Sequence, residues 1–256
     1  NGTSNVAAIA EKLIPIVNIN TSVGLIKFYC LGRISEWRAN SLLSKEPETI
    51  NWIDGFDMGE TLWDVGANIG VYSLYALKRG LRVFSFEPSP NNFFLLNKNI
   101  EINCLSAKAN PFCIAFHNHT ELNQFYMQNS DFGSALNNFG EAINWKGEDM
   151  NGAYNVSMLS FSIDDFVSTF NIEIPNHLKI DVDGNENKIL NGAVKTLMNS
   201  NLKSILIELN EVAPDYNDLI QFIYKCGFNI FDIYENKDSL ESEFRTVKNH
   251  IFKRIQ

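Results

Sequence analysis

The sequence predicts an α/β fold, a mostly parallel sheet with helices on both faces, preceded by a hairpin and helical extension. Three observations support this. From residue 61 onward, short apolar β-rich runs alternate with helical segments, the pattern of strands buried on both faces. The 256 residues suffice for one substantial domain. A hydrophobic fraction of 45%, including 19 Phe, against 20% charged residues provides a large core.

The elements follow in order. After a helix-compatible start, "IPIVNIN" and "LIKFYCL" read as two strands joined through "TSVG". Ile34 to Phe56 is helical and mixed, with Pro47 opening a helix where its missing N–H does no harm. Residues 1–60 are expected to form an N-terminal extension and residues 61–256 the main domain. There, "TLWDVG" and "LRVFSFE" are strands, each followed by a helix: "VYSLYALKRG", and "PNNFFLLNKNIEIN" with Ser89 as N-cap and Pro90 as first helical residue. "NPFCIAF", "HLKIDVD", "KSILIELN" and "FNIFDIY" are further strands, "ENKILNGAVKTLMNS" and "PDYNDLIQFIYKCG" helices, and "FRTVKNHIFKRIQ" can close the sheet. Residues 129–155 are polar; their plain reading is a solvated surface loop, their functional one a lid or acceptor-binding loop.

Composition narrows the function. A net charge of −9 leaves no broad basic face, so nucleic acid is not an expected partner. Lys27 and several polar residues break the longest apolar stretch, so no membrane span is expected. Cys30, Cys104, Cys113 and Cys226 form no CxxC pair and have no His at ligand spacing. They read as buried thiols, with neither a zinc site nor a disulfide framework indicated. No signal peptide is read, and a cytoplasmic setting is expected. The four His residues share no motif and read as surface or satisfied polar groups.

"TLWDVGANIG" carries the strongest chemical signal. A glycine turn between strand and helix lets a ligand approach backbone N–H groups at a helix N-terminus. The nicotinamide fingerprint G-x-G-x-x-G would need Gly at Gly66, Asn68 and Val71, and two positions fail. The spacing is D-x-G-x-N-x-G over Asp64, Gly66, Asn68 and Gly70, and Asn is the non-glycine residue that best tolerates positive φ. Glu87 ends the next strand 23 residues after Asp64. That is near the spacing of about 20 at which an acid accepts ribose hydroxyls.

With "FSFEPSPNNFFLLNKNI", "FSIDDF" and "LKIDVDGNENKILNGA", the segment "DVGANIGVYSL" resembles the FkbM family of S-adenosylmethionine-dependent methyltransferases, in order from about residue 40. The resemblance implies a Rossmann-like class I fold with a seven-stranded sheet whose last strand is antiparallel. It also implies O-methylation of a sugar or other hydroxyl acceptor, with S-adenosylmethionine contacts at Asp64, Gly66, Asn68, Gly70 and Glu87. Where the family usually has Asp-Val-Glu-Gly-x-Glu, this chain has "DVDGNE", leaving Asp183 one methylene short.

Methyl transfer to a hydroxyl is an in-line displacement that needs positioning and a proton acceptor. Asp181, at the C-terminal end of its strand, is the first choice for that base, and Glu208 on the next strand is its expected partner. With Asn210 they form an oxygen set that could hold Mg²⁺, although metal dependence is not the favoured reading. Asp183 and Glu186 stand at capping-box spacing and read first as helix caps. Arg33, Arg38 and Lys45 read as a solvated basic face or as contacts for an anionic acceptor. The partner is expected to be a small-molecule or glycan acceptor. Two rivals are an amine methyltransferase, from a partial likeness of "NPF" to the Asn-Pro-Pro-aromatic element, and a cofactor-binding protein without turnover.

Overall fold

The computed structural model describes residues 2–144, 146–150, 154–235 and 245–255. The chain runs α1 (Gly2–Lys12), β1 (Ile16–Thr21), β2 (Gly24–Tyr29), α2 (Arg33–Asn40), α3 (Pro47–Asp54), β3 (Thr61–Val65), α4 (Val71–Arg79), β4 (Arg82–Phe86) and α5 (Pro90–Ile102). It continues β5 (Ala109–Phe112), β6 (Ala115–Phe116), β7 (Glu121–Met127), β8 (Asn138–Phe139), β9 (Tyr154–Phe161), α6 (Ile163–Phe170), β10 (His177–Ile180) and α7 (Glu186–Asn191). Then follow α8 (Val194–Met198), β11 (Ser204–Asn210), α9 (Tyr216–Lys225), β12 (Phe228–Glu235) and β13 (Val247–Arg254).

The main sheet has seven strands in the order β5-β4-β3-β10-β11-β13-β12. Only β13 runs antiparallel to both neighbours, β11 and β12. The predicted closing strand is therefore present; Phe244 and Gln256, at the ends of that stretch, lie outside the described residues. Because side chains alternate faces along a strand, the sheet buries two separate cores. Leu62, Val83 and Leu206 face α4, α5 and the N-terminal elements, whereas Trp63, Phe86, Leu178, Ile180, Ile205 and Ile207 face α6 to α9. The second core is strongly aromatic, with Phe166 meeting Trp63, Phe86, Phe112 and Phe116 edge-on.

The N-terminal hairpin is sewn onto α5 by two asparagines. Asn99 Oδ1 accepts Tyr29 N–H at 2.7 Å, and Asn103 Oδ1 accepts Lys27 N–H at 2.9 Å while its Nδ2 donates back to the Lys27 carbonyl at 2.7 Å. Apolar contact adds Ile26 and Phe28 to the first core.

Two expectations need correction. "NPFCIAF" is not one strand: β5 stays at the edge of the main sheet, while β6 joins a second sheet ordered β6-β9-β7-β8. That sheet was not anticipated. The helix expected over "ENKILNGAVKTLMNS" is two short ones, because at Gly192 a Cβ would sit 2.4 Å from the His117 carbonyl oxygen and the chain turns there. Asp164 of "FSIDDF" bridges the break, accepting Lys195 N–H and Thr196 N–H at the start of α8.

Candidate active site

Strand register builds the site. Ser85, Asp64, Lys179 and Leu206 lie side by side on β4, β3, β10 and β11. Two residues further along each strand, on the same face, stand Glu87, Gly66, Asp181 and Glu208. The ladder continues that far: Gly66 N–H donates to the Phe86 carbonyl at 2.9 Å, Asp181 N–H to Val65 at 3.0 Å and Glu87 N–H to Phe112 at 3.1 Å. The four residues thus form a row at the C-terminal edge of the parallel strands, where open α/β sheets present their ligand crevice. All four line a cavity of about 470 Å³, within the usual range for small-molecule sites.

The turn after β3 has the shape the sequence predicts. Gly66 has φ 84, Asn68 φ 50 and Gly70 φ 88, so Asn68 takes the left-handed conformation between two glycines. At Gly66 a Cβ would lie 1.9 Å from the Asp181 carbonyl oxygen, and at Gly70 2.6 Å from Leu96. No larger residue fits either place. The expected role of the backbone N–H groups is corrected, because those of Gly66, Ala67, Asn68, Ile69 and Gly70 all donate within the protein. The turn therefore offers a ligand contact surface rather than a nest of free donors.

Glu87 is nearly fully buried, and its two oxygens accept Asn68 N–H and Ser89 N–H, each at 2.8 Å. Burial pushes its carboxyl up to about 7 against those two stabilising donors. Asp64 lies beneath the cavity and is not among its lining residues. Its Oδ2 accepts the Ser73 hydroxyl at 2.6 Å, Ser73 in turn meets Ser85 at 2.7 Å, and burial raises the carboxyl. Gly70 likewise supports the turn from behind. Of the predicted residues, Gly66, Asn68, Glu87, Asp181 and Glu208 reach the cavity.

The two predicted catalytic acids have opposite electrostatics. Burial disfavours the charge on Asp181, but the ammonium groups of Lys179 and Lys45 outweigh it and hold the carboxyl below its ordinary value; Lys179 Nζ donates to its Oδ2 at 2.5 Å. Burial pushes Glu208 well up, and the negative charges of Asp181 and Glu46 push it further. Lys179 itself is fully buried and lies over the Tyr72 ring at 5.0 Å. Its charge beside Leu178 and Ile180 in the buried strand "HLKI" is the sequence signal by which it could have been found. The Mg²⁺ set does not fit: Asp181 is engaged by Lys179, Glu208 favours its proton, and Asn210 Oδ1 accepts Val212 N–H at 3.3 Å in a local turn.

The polar segment closes the cavity, correcting the surface-loop reading for residues 131–139. Ser134 to Asn137 and Phe139 line the wall. Buried Asn92 receives Gly133 N–H at 2.8 Å and donates to the Ser134 carbonyl at 2.9 Å, and Asn68 Nδ2 donates to the same carbonyl at 3.0 Å. Trp145 and residues 151–153 of that segment lie outside the described residues. The capping-box reading of Asp183 and Glu186 is also corrected. Asp183 Oδ2 accepts Asn137 N–H at 2.9 Å, and Glu186 Oε1 accepts Gly184 N–H at 3.3 Å, while the residue before α7 makes no side-chain cap. The Asn137 side-chain oxygen is buried on the cavity wall with no hydrogen-bond partner among the described residues. From the N-terminal elements, Arg38 and Lys45 enter the cavity, whereas Arg33 lines a separate shallow groove. "NPF" contributes no lining residue.

A family model for the FkbM methyltransferase domain matches residues 64–230. Hexuronic acid methyltransferase AglP of Haloferax volcanii is 23% identical over 180 residues, 68% of this chain and 66% of that protein. The FkbM methyltransferase from Methylobacillus flagellatus KT superposes with a TM-score of 0.52 at 18% identity, covering 76% of this chain and 43% of that one. The tRNA m1G37 methyltransferase of M. jannaschii gives 0.51 at 12% identity, covering 95% and 58%. This chain thus spans from under half to about two thirds of these relatives' lengths, and the two solved structures share its fold. The Rossmann-like sheet and the family match over residues 64–230 place this chain in the FkbM family of methyltransferases.

Proposed function

We propose that the protein transfers a methyl group from S-adenosylmethionine to a hydroxyl of an acidic sugar or glycan. One observation carries the reading: Glu87, Gly66, Asp181 and Glu208 share a row on one sheet face and open into one cavity. The cofactor would bring two hydroxyls on its ribose, an ammonium and a sulfonium, and it supplies an electrophilic methyl carbon. The residues at the Gly66 end suit such a ligand. Glu87 keeps lone pairs for hydroxyl donors, the unpartnered Asn137 oxygen can accept an N–H, and Phe86, Ile114 and Phe116 offer an apolar wall.

At the other end the acids divide the work. Two titratable groups whose surroundings push them in opposite directions mark an acid–base assignment. Asp181, held ionised by Lys179 and Lys45, takes the acceptor hydroxyl proton as the new O–C bond forms and the methyl–sulfur bond breaks, and Glu208, which favours its proton, orients that hydroxyl. Arg38, whose Nε holds the Gly133 carbonyl, and Lys45, paired with Glu46 at 2.6 Å, are cavity cations that could meet an acceptor carboxylate, which fits the hexuronic acid named for the Haloferax volcanii relative. The extension over residues 1–60 would then be part of the acceptor site.

The test is transfer of labelled methyl from S-adenosylmethionine into a panel of uronic acid and neutral sugar acceptors. Label in alkali-stable ether linkage on the acidic sugars, lost in Asp181→Asn, is the expected result. Label in amino groups, or cofactor binding without transfer to any acceptor, would replace this reading with the amine or non-catalytic alternative.

A further inference from the structure

We propose that His117, His119 and Glu121 form a site for a borderline divalent metal ion, Zn²⁺ above all, outside the methyl-transfer cavity. His117 is 7% exposed, yet among the described residues neither of its ring nitrogens has a hydrogen-bond partner. A buried imidazole left unpaired is costly, and native interiors rarely keep one without a reason. His119 Nε2 lies 3.2 Å and His117 Nδ1 3.8 Å from the two oxygens of Glu121. One ligand atom from each of the three residues can be chosen so that all lie within 4.8 Å of one another. Among the described residues no other group of three or more His, Cys, Asp and Glu side chains meets that condition.

The supporting contacts suit ligation. His119 Nδ1 meets Asn118 Oδ1 at 2.5 Å, which leaves Nε2 with its lone pair facing the group, the arrangement by which a neighbouring acceptor orients a metal-bound imidazole. The backbone is fixed on both sides. His117 N–H donates to the Phe161 carbonyl at 2.9 Å, and the Ser160 hydroxyl reaches the His119 and Glu121 carbonyls at 3.2 and 3.4 Å. Asn123 Nδ2 holds Glu121 Oε1 at 3.3 Å. Lys188 is the nearby opposing charge, and it is paired with Glu141 at 3.2 Å. Two imidazoles and a carboxylate are the donor set that Zn²⁺ favours over Mg²⁺, with room for water as a further ligand. The ion would tie β6, whose residues line the cavity, to β7 across the turn.

The experiment is titration of chelator-stripped full chain with Zn²⁺ by calorimetry and with Co²⁺ by visible absorption, all in a Cys104→Ser background to remove the exposed thiol. One equivalent of Zn²⁺ is expected, with a Co²⁺ spectrum free of thiolate charge transfer. His119→Ala and Glu121→Gln alter partly exposed side chains and leave the fold intact by circular dichroism; each should weaken binding roughly 100-fold or more. Absence of stoichiometric Zn²⁺ binding, or affinity unchanged in both variants, would overturn the proposal. Mg²⁺ binding as tight as Zn²⁺ would overturn the ligand assignment. None of these outcomes depends on methyl transfer.

Discussion

Glu87 does two things at once, because its oxygens hold the turn after β3 and the start of α5 while facing the cavity. Glu87→Ala should therefore weaken S-adenosylmethionine binding by roughly 1–3 kcal/mol, the scale of a charge-assisted hydrogen bond. Glu87→Gln keeps one acceptor oxygen and should lose less; titration calorimetry separates the two. Equal affinity in all three proteins would show that this acid serves the turn alone. At this scale the sequence was informative where chemistry is local. Asn68 in a D-x-G-x-N-x-G turn announces its positive φ, and Glu87 at the end of an apolar strand announces a liganding acid. Asp64 was equally visible, but the Ser73 hydroxyl that occupies its Oδ2, itself bonded to Ser85, comes from another element. Likewise, no spacing rule shows that Lys179 neutralises Asp181 more than it neutralises Asp64.

Among elements, the strands of the main sheet were legible because each is an apolar run bounded by turn residues, and parallel strands buried on both faces leave that mark. The second sheet was not. β7 and β9 mix Asn, Gln, Ser and exposed Leu122 and Leu159 with buried Phe125 and Met158, so their hydrophobic alternation is weak. β8 has only two residues. For residues 131–139 the sequence left a surface loop and a lid both open for a related reason: long-range side-chain bonds fix this wall, with no periodicity of its own. Asn92 is the main anchor. Asn92→Ala leaves Gly133 N–H and one bond to the Ser134 carbonyl unpaired in a buried place, at a cost of roughly 1–3 kcal/mol. Hydrogen exchange should accelerate at residues 131–137 while β3, β4 and β10 keep their protection. Uniform acceleration through the sheet would instead make Asn92 a determinant of the whole fold.

Across the whole molecule, the crowding of acids around one cavity sets a pH dependence. Burial pushes Glu87 up to about 7, Asp183 to about 6 and Glu186 to about 8. A carboxyl raised in the folded state binds its proton more tightly there than in the unfolded chain. Its stabilisation is complete below the unfolded value and is lost as pH rises through the folded one. His177 opposes this: burial lowers it to about 4 despite Glu60 at 2.9 Å, so its share is lost as pH falls below the ordinary imidazole range. His117 and His250 are lowered by burial as well, but five raised carboxyls, those of Asp64, Glu87, Asp183, Glu186 and Glu208, outnumber the three imidazoles. The melting temperature of the ligand-free protein should fall between about pH 5 and pH 8, and Glu186→Gln should flatten the upper part of that fall. A flat profile in the parent protein would mean that the carboxyls stay solvated.

The row formed by Glu87, Gly66, Asp181 and Glu208 also gives the chain a rule of parity. Each member sits an even number of residues from a partner already fixed in the ladder, so inserting or deleting one residue within β3, β4, β10 or β11 would turn an acid into the aromatic core on the opposite face. Insertion of two would restore the face but carry the group about 6–7 Å past its neighbours. Over evolutionary time, descendants of this chain can lengthen loops remote from the cavity, but these four strands and the turn at Gly66–Gly70 must keep their count.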